Sequence, residues 1–169
     1  MKVISKQSNS KDCLVCGIDN PLGVKASFYN MEDDSIVCLF SFRSEHQSYP
    51  NRTHGGMIAA ILDETIGRGI WVKEPNVWGV TLKLEVKYHK AVPYNEKLIA
   101  VAKITKSTKL IFEGEAKLYD SSFNLLDTAT ALYYKLPLEE AANCDCDPKD
   151  LSIMVKDDVK EIALPDEGK

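Results

Sequence analysis

The sequence predicts an α+β fold, in which an antiparallel β-sheet of five to six strands wraps around one long central helix. Six runs of the chain are strand-like, because they alternate apolar and polar residues or are rich in β-branched and aromatic residues. Residues 54–71 differ, since nearly two turns at 57–62 are apolar on every side, and a helix of that kind is buried. Short polar turns join the strand-like runs, which favours an antiparallel meander.

The predicted strands lie on both sides of the helix in the chain. They cover residues 23–29, 34–42, 80–88, 97–105, 108–119 and 125–136. The clearest is 80–88, in which every second residue from Val80 to Tyr88 is apolar and the residues between them are polar. This alternation is typical of a strand with one buried face.

The chain of 169 residues has room for one domain with tails. We expect a flexible N-terminus over residues 1–12, a globular domain over 13–138 and an acidic C-terminal extension over 139–169, which contains no aromatic residue. Two short apolar patches, at 151–155 and 162–164, indicate that the extension docks on the domain or on another subunit.

Charge and hydropathy exclude several classes of partner. The net charge of -4 argues against nucleic acid, because phosphate binding needs a basic surface. No run approaches the roughly 18 apolar residues of a membrane span, and the polar N-terminus does not have the apolar stretch of a signal peptide. We therefore expect a cytoplasmic protein that binds neither nucleic acid nor membranes.

The five cysteines leave two interpretations open. Cys38 lies in an apolar run and is predicted to be a small buried hydrophobe. The other four form two close pairs, which are Cys13 with Cys16 and Cys144 with Cys146. Four thiolates suit a tetrahedral zinc in a structural module, although the second spacing falls outside the common zinc patterns. The other interpretation is that all four are reduced thiols, and we expect no metal in the functional site.

Asp63 stands out because it lies within the predicted buried helix. Carboxylates are rarely buried unless they are paired or functional, and no residue three or four positions from Asp63 is basic. The neighbouring Glu64 and Arg68 are four apart and are predicted to form an ordinary surface ion pair. Asp63 is therefore either a functional carboxylate or an exposed residue where the helix leaves the sheet.

Two glycines, Gly55 and Gly56, mark the start of the helix. Their N–H groups have no acceptor within the helix and can bind an anion or polarise a carbonyl oxygen, unless they only form a tight turn. Asp63 lies eight residues after Gly55, which is about 12 Å along a helix. A catalytic carboxylate works within ~3 Å, so if both groups are catalytic, the site is shared across a twofold dimer.

Several short motifs stand in a fixed order along the chain. The central motif is HGG at 54–56, followed by ILDET at 61–65 and Gly67, and it is flanked by CLVCG at 13–17, NPLG at 20–23 and TLKLEVKYHKAVP at 81–93. In these motifs the chain resembles the hotdog-fold acyl-CoA thioesterases, specifically the PaaI-type group of the thioesterase superfamily. The resemblance covers roughly residues 13–138.

The resemblance implies an enzyme that hydrolyses an acyl-CoA to a free acid and coenzyme A, without a cofactor. It implies homodimers, often paired into tetramers. The position of Asp63 is that of the nucleophile or general base, and the amide at the position of Gly55 polarises the thioester carbonyl. Thr81 corresponds to a residue that helps hold the attacking water or the acid, and His54 to one that orients the loop.

One position departs from the family pattern. Many relatives have an asparagine six residues before the histidine of the central motif, where this chain has Ser48. His46 and Gln47 lie nearby and are candidates to take over its contribution to the site.

The phosphates of coenzyme A require a local basic patch on an acidic protein. The candidate ligand-binding residues are Gly56, Lys87, His89 and Lys90, with Lys106 and Lys109 as a second set. The alternative for each lysine is plain solvent exposure. Trp71, Trp78 and Tyr49 are candidate walls of an acyl tunnel, although large aromatics also serve as ordinary core.

Other functions fit the same fold. A non-catalytic acyl-CoA binder or sensor is the main alternative, since fold does not fix function. Hotdog hydratases and dehydratases use a histidine with an acid at other spacings, so the HGG-x6-Asp arrangement at 54–63 favours hydrolysis. The identity of the acyl group depends on packing that the sequence does not show.

Overall fold

The computed structural model describes residues 1–137, 140, 150 and 152–165. The helix is α1 (Gly55–Arg68), and the strands are β1 (Val3–Lys6), β2 (Ser27–Met31), β3 (Ile36–Phe40), β4 (Val77–Tyr88), β5 (Leu98–Ser107), β6 (Ile111–Tyr119) and β7 (Leu125–Pro137). They form one seven-stranded sheet in the order β1-β2-β3-β5-β6-β7-β4, in which every neighbouring pair is antiparallel. Helix α1 packs on this sheet, which confirms the predicted α+β hotdog fold.

The helix begins where the sequence predicts it. His54 caps the N-terminus, because its Nδ1 accepts the N–H of Gly56 at 2.9 Å. Apolar side chains of α1 are buried against the sheet, and they are Ile58, Ile61, Leu62 and Ile66. A 3-10 turn, Gly69–Val72, follows the helix and accounts for the remaining residues of the predicted segment.

The helix lies close to strand β6. A side chain at Gly114 would place its Cβ 2.6 Å from Cγ2 of Ile66, so the strand has room only for glycine there. Two large aromatic side chains, Phe112 and Tyr133, are fully buried beside this contact. These contacts fix the distance between helix α1 and strands β6 and β7.

The N-terminal residues correct one expectation. Residues 1–12, expected to be flexible, contain strand β1, which pairs with β2 and raises the strand number to seven. Gln7 and Asn9 beyond it are buried, and Nδ2 of Asn9 donates to the carbonyls of Cys16 (2.7 Å) and Ala26 (3.0 Å). These hydrogen bonds satisfy buried polar groups and fix residues 7–9 against the domain.

The described part of the acidic extension, residues 152–165, runs along the outer edge of β1. The N–H of Val3 donates to the Lys160 carbonyl at 2.8 Å, and Ile162 is buried in an apolar cluster with Tyr29 of β2. Asp157 accepts hydrogen bonds from Lys6 Nζ (2.7 Å) and from the Tyr29 hydroxyl (2.6 Å). The extension therefore docks on its own domain, one of the two predicted alternatives.

No helix formed by the described residues is long and apolar enough to cross a membrane.

Candidate active site

Asp63 lies half-buried in the third turn of α1, where the helix faces β4. Its carboxylate has a partner outside the helix, since Oγ1 of Thr81 donates to it and lies 3.0 Å from Oδ1 and 3.2 Å from Oδ2. The structure thus brings together Asp63 and Thr81, two predicted site residues that are 18 positions apart in the chain.

The second partner of Asp63 is Tyr133 of β7, which the sequence analysis did not identify. Its hydroxyl donates to Asp63, whose Oδ1 lies 2.9 Å away and whose main-chain carbonyl lies 2.8 Å away. The ring is 1% exposed and stacks on Phe112, with centroids 4.7 Å apart. Burial and the Asp63 charge raise the pKa of Tyr133 far above its ordinary value, so the phenol keeps its proton and donates.

The sequence indicates only that Tyr133 lies on the buried face of the last predicted strand. It alternates with Ala129 and Ala131, which face the core, so its hydroxyl needs a buried partner. The alternation alone does not show that this partner is Asp63.

A cavity of about 320 Å³ opens beside the Asp63 carboxylate. Trp71 and Trp78 line it as predicted, with ring centroids 6.3 Å apart, and Trp71 Nε1 donates to the Val77 carbonyl at 2.7 Å. Tyr49 does not line this cavity and is 72% exposed in the loop before α1, so the expected third wall residue is not one within a single chain. The Asp63 carboxylate therefore shares the lining of one cavity with the two tryptophan rings.

The N-terminus of α1 distinguishes the two glycines. Within the described part of the chain, the Gly55 N–H has no hydrogen-bond partner, and the Gly55 carbonyl accepts from the Tyr88 hydroxyl at 2.9 Å. The Gly56 N–H donates to Nδ1 of His54, and its contact with a ligand stays a prediction. Among the described residues, the free amide at the start of the helix is therefore that of Gly55.

Ser48 and its neighbour His46 are placed apart from the carboxylate. Ser48 is exposed in the loop before α1 and makes no contact with Asp63 among the described residues. His46 is buried, and both ring nitrogens are used, because Nδ1 accepts the Arg43 N–H at 3.1 Å and Nε2 donates to the Leu22 carbonyl at 2.7 Å. Both ring nitrogens of His46 thus hold the loop, and its contribution to the site stays a prediction.

The two predicted basic sets lie at different places on the sheet. Lys87, His89 and Lys90 are exposed at the end of β4 that Tyr88 joins to the helix start. Lys106 pairs with Glu113 at 3.4 Å, and Lys109 is exposed in the turn between β5 and β6. The first set is the one next to Gly55.

Beside Asp63, the Glu64–Arg68 ion pair forms as predicted, at 2.8 Å, but it is not an ordinary surface pair. Arg68 is 6% exposed, and its Nη2 also donates to Sγ of Cys16 at 3.0 Å. Arg68 is covered by the N-terminal residues and by the rings of Phe28 and Trp71, which the spacing of four along the helix does not reveal.

One group of possible metal-binding side chains borders the cavity. Both sulfurs of Cys13 and Cys16 and one Glu64 oxygen lie within 4.8 Å of one another. The Arg68 guanidinium already binds two of the three groups, so a cation already occupies this position. Cys144 and Cys146, the other predicted zinc ligands, lie outside the described residues.

Comparison with known proteins identifies relatives of this site and fold. The family model described as the thioesterase superfamily matches residues 51–126, which include Gly55, Asp63 and Thr81. The acyl-coenzyme A thioesterase THEM4 of Xenopus laevis is 33% identical over 111 residues, which are 64% of this chain and 49% of that protein. The chain thus spans about half the length of the curated relatives it matches.

Solved structures show the same fold. A hypothetical thioesterase with coenzyme A from Streptococcus pneumoniae aligns with a TM-score of 0.60 at 17% identity, over 66% of this chain and 86% of that one. The E. coli PaaI protein from the phenylacetic acid degradation operon aligns with a TM-score of 0.61 at 10% identity, over 67% and 80%. These structures show that the chain carries a hotdog domain, and residues 51–126 of it match the model of the thioesterase superfamily.

Proposed function

We propose that this protein is an acyl-CoA thioesterase, which hydrolyses a thioester to a free acid and coenzyme A. The observation that carries the proposal is the Asp63 carboxylate, which stands at an aromatic cavity with its orientation fixed by the hydroxyls of Thr81 and Tyr133. The THEM4 relatives are named as acyl-coenzyme A thioesterases, and the Streptococcus pneumoniae neighbour was solved with coenzyme A.

Asp63 has two chemical routes to hydrolysis. As a general base, it takes a proton from the water that attacks the thioester carbonyl. As a nucleophile, it attacks the carbonyl directly, expels the thiolate of coenzyme A and forms a mixed anhydride that water then hydrolyses. In both routes, the two hydroxyl donors hold the carboxylate in one rotamer, and such preorganisation favours the transition state.

The developing negative charge on the carbonyl oxygen requires a donor, and the free Gly55 N–H at the positive end of α1 suits it. Asp63 is about 12 Å further along the same helix, so the donor comes from a second copy of the chain. Strand β4 supports this arrangement, since it pairs on one side only in the described structure and exposes Val80 and Leu82.

Antiparallel pairing of two β4 strands would bring the two halves of the site together. Tyr88 connects Gly55 to the end of β4, and Thr81 connects Asp63 to its first half. Because a twofold axis reverses the strand direction, the Gly55 end of one copy lies opposite the Asp63 part of the other. The exposed Lys87, His89 and Lys90 at the Gly55 end then serve the phosphates of coenzyme A.

The decisive experiment is thiol release from a panel of CoA esters, running from acetyl to palmitoyl and including aromatic acyl groups. We expect Asp63→Asn to lower kcat at least about 100-fold. The control variant Asp19→Asn changes an exposed aspartate near the N-terminus and should keep wild-type activity. Full activity in Asp63→Asn refutes the role of Asp63 in hydrolysis. A protein that is a monomer by light scattering and is still fully active refutes the shared site. Binding of CoA esters with no hydrolysis by the wild type would instead identify a binding protein.

A further inference from the structure

The loop at residues 13–17 brings two thiols together beside the Asp63 cavity. The Gly17 N–H donates to the Cys13 carbonyl at 2.8 Å, which folds the loop into one tight turn. A side chain at Gly17 would overlap the main chain of Cys13, so the turn requires glycine. As a result, the sulfurs of Cys13 and Cys16 lie within 4.8 Å of each other.

The two thiols have different environments. Cys13 is half-buried and lines the cavity, and its sulfur accepts the N–H groups of Val15 (3.3 Å) and Cys16 (3.5 Å). Cys16 is 1% exposed and its sulfur accepts from Arg68. The hydrogen bond from the Cys16 thiol, above all, lowers the pKa of Cys13 to about 6, and the same bond and burial raise the pKa of Cys16.

This is the arrangement of an accessible nucleophile and a buried resolving thiol. The thiolate is the reactive form of cysteine, and hydrogen-bond donors and nearby cations favour it. Cys38, by contrast, is fully buried, and burial raises its pKa. Nothing in the proposed hydrolysis uses Cys13 or Cys16, although both border the cavity.

We propose that Cys13 and Cys16 form a redox-active dithiol that reduces small-molecule disulfides and is oxidised to an intramolecular disulfide. The Cys13 thiolate attacks one sulfur of the small disulfide, forms a mixed disulfide and releases one thiolate. Cys16 then loses its proton to solvent and attacks the Cys13 sulfur, which releases the second thiolate. Two protein thiols are oxidised, and one small disulfide is reduced to two thiols.

Arg68 makes the second step favourable. While Cys13 is a thiolate, Cys16 shares its proton with it, and this bond is the main reason that the Cys16 thiol resists ionisation. Once Cys13 is in a mixed disulfide, that bond is lost, and the guanidinium 3.0 Å from Cys16 Sγ stabilises the new thiolate. The Cys16 thiol is thus activated after Cys13 has reacted.

The test uses the reduced full chain in buffers of oxidised and reduced glutathione, followed by acid quenching, alkylation and peptide mass spectrometry. We expect a Cys13–Cys16 disulfide that forms and is lost reversibly as the glutathione ratio changes. Cys16→Ser should accumulate glutathione on Cys13, whereas Cys13→Ser should reduce modification of Cys16 at least about tenfold, because Cys16 is buried. The double variant Cys144→Ser/Cys146→Ser is the matched control and should behave as the wild type.

Several outcomes overturn the proposal. The proposal is wrong if Cys13 and Cys16 of the wild type remain free thiols at every glutathione ratio. It is also wrong if disulfides form only at Cys144 and Cys146. A zinc ion in the untreated protein that Cys13→Ser removes would show that the pair binds metal instead. These measurements report on thiols alone, so they stand whether or not the chain hydrolyses thioesters.

Discussion

Replacing Tyr133 by phenylalanine tests how the carboxylate of the site is held. The variant keeps the ring that stacks on Phe112 and removes only the hydroxyl, which lies 2.9 Å from Asp63 Oδ1. A hydrogen bond to a charged group contributes about 1.5–3 kcal/mol. If this bond is needed to orient the carboxylate in the transition state, that free energy corresponds to a loss of about 10- to 100-fold in kcat.

The assay is release of coenzyme A from the best substrate of the panel, at saturating and at low substrate concentration. We expect kcat to fall and KM to change little, because the lost hydroxyl binds Asp63 while the ring that stacks on Phe112 stays in place. The matched control is Tyr134→Phe, which removes a half-exposed hydroxyl on the other face of the same strand. A Tyr133→Phe protein that is folded and has wild-type kcat would refute the reasoning.

Three other positions give predictions by thermal or urea denaturation and hydrogen exchange. Gly79→Ala should lower the free energy of unfolding by about 1–3 kcal/mol, because the new Cβ would lie 2.6 Å from the Phe112 ring. Asp157→Asn should cost about 1 kcal/mol at pH 7 and speed amide exchange at residues 152–165. Lys6 and Tyr29 hold the pKa of Asp157 below its ordinary value despite partial burial, so this contribution is present above the ordinary aspartate pKa and disappears as the pH falls through the lowered pKa. Lys6→Met should lose the same contribution at pH 7.

Each of these predictions has a result that contradicts it. A Gly79→Ala protein as stable as the wild type would show that β4 shifts freely over the aromatic pair. Asp158→Asn is the control for this segment, since Asp158 is the residue next to Asp157 and its carboxylate is exposed. If Asp157→Asn and Asp158→Asn have equal stability at pH 7, the ion pair does not fix the segment.

Local patterns predicted much of the fold because they reflect burial. The alternation at 80–88 and the all-apolar turns after Gly56 place β4 and α1 within a few residues of their observed bounds. Strand β1 gave no such pattern, since Val3–Lys6 is short and both its neighbours, β2 and residues 152–165, are distant in sequence. Its pairing is a long-range property that a local window does not contain.

Some residues of the candidate site were also predictable from local patterns, whereas others depend on long-range contacts. Asp63 was visible because a carboxylate in an apolar helix is unusual, and Thr81 because it begins the next strand of the family pattern. Tyr133 was not visible, since its hydroxyl meets Asp63 only after β7 has been placed beneath the helix, 70 residues later in the chain. The burial of Arg68 was hidden for the same reason.

The directions in which Arg68 donates determine how the start of the chain is aligned. Its planar guanidinium aims Nε at Glu64, Nη1 at the Ser8 carbonyl (2.9 Å) and Nη2 at the sulfur of Cys16. Apolar contacts tolerate a slipped segment, whereas a rigid fork of donors accepts only one register. A slip of one residue would take the Ser8 carbonyl and the Cys16 sulfur away from the buried guanidinium and leave it only Glu64. Arg68 therefore contributes more to fixing a single register of this segment than to its stability.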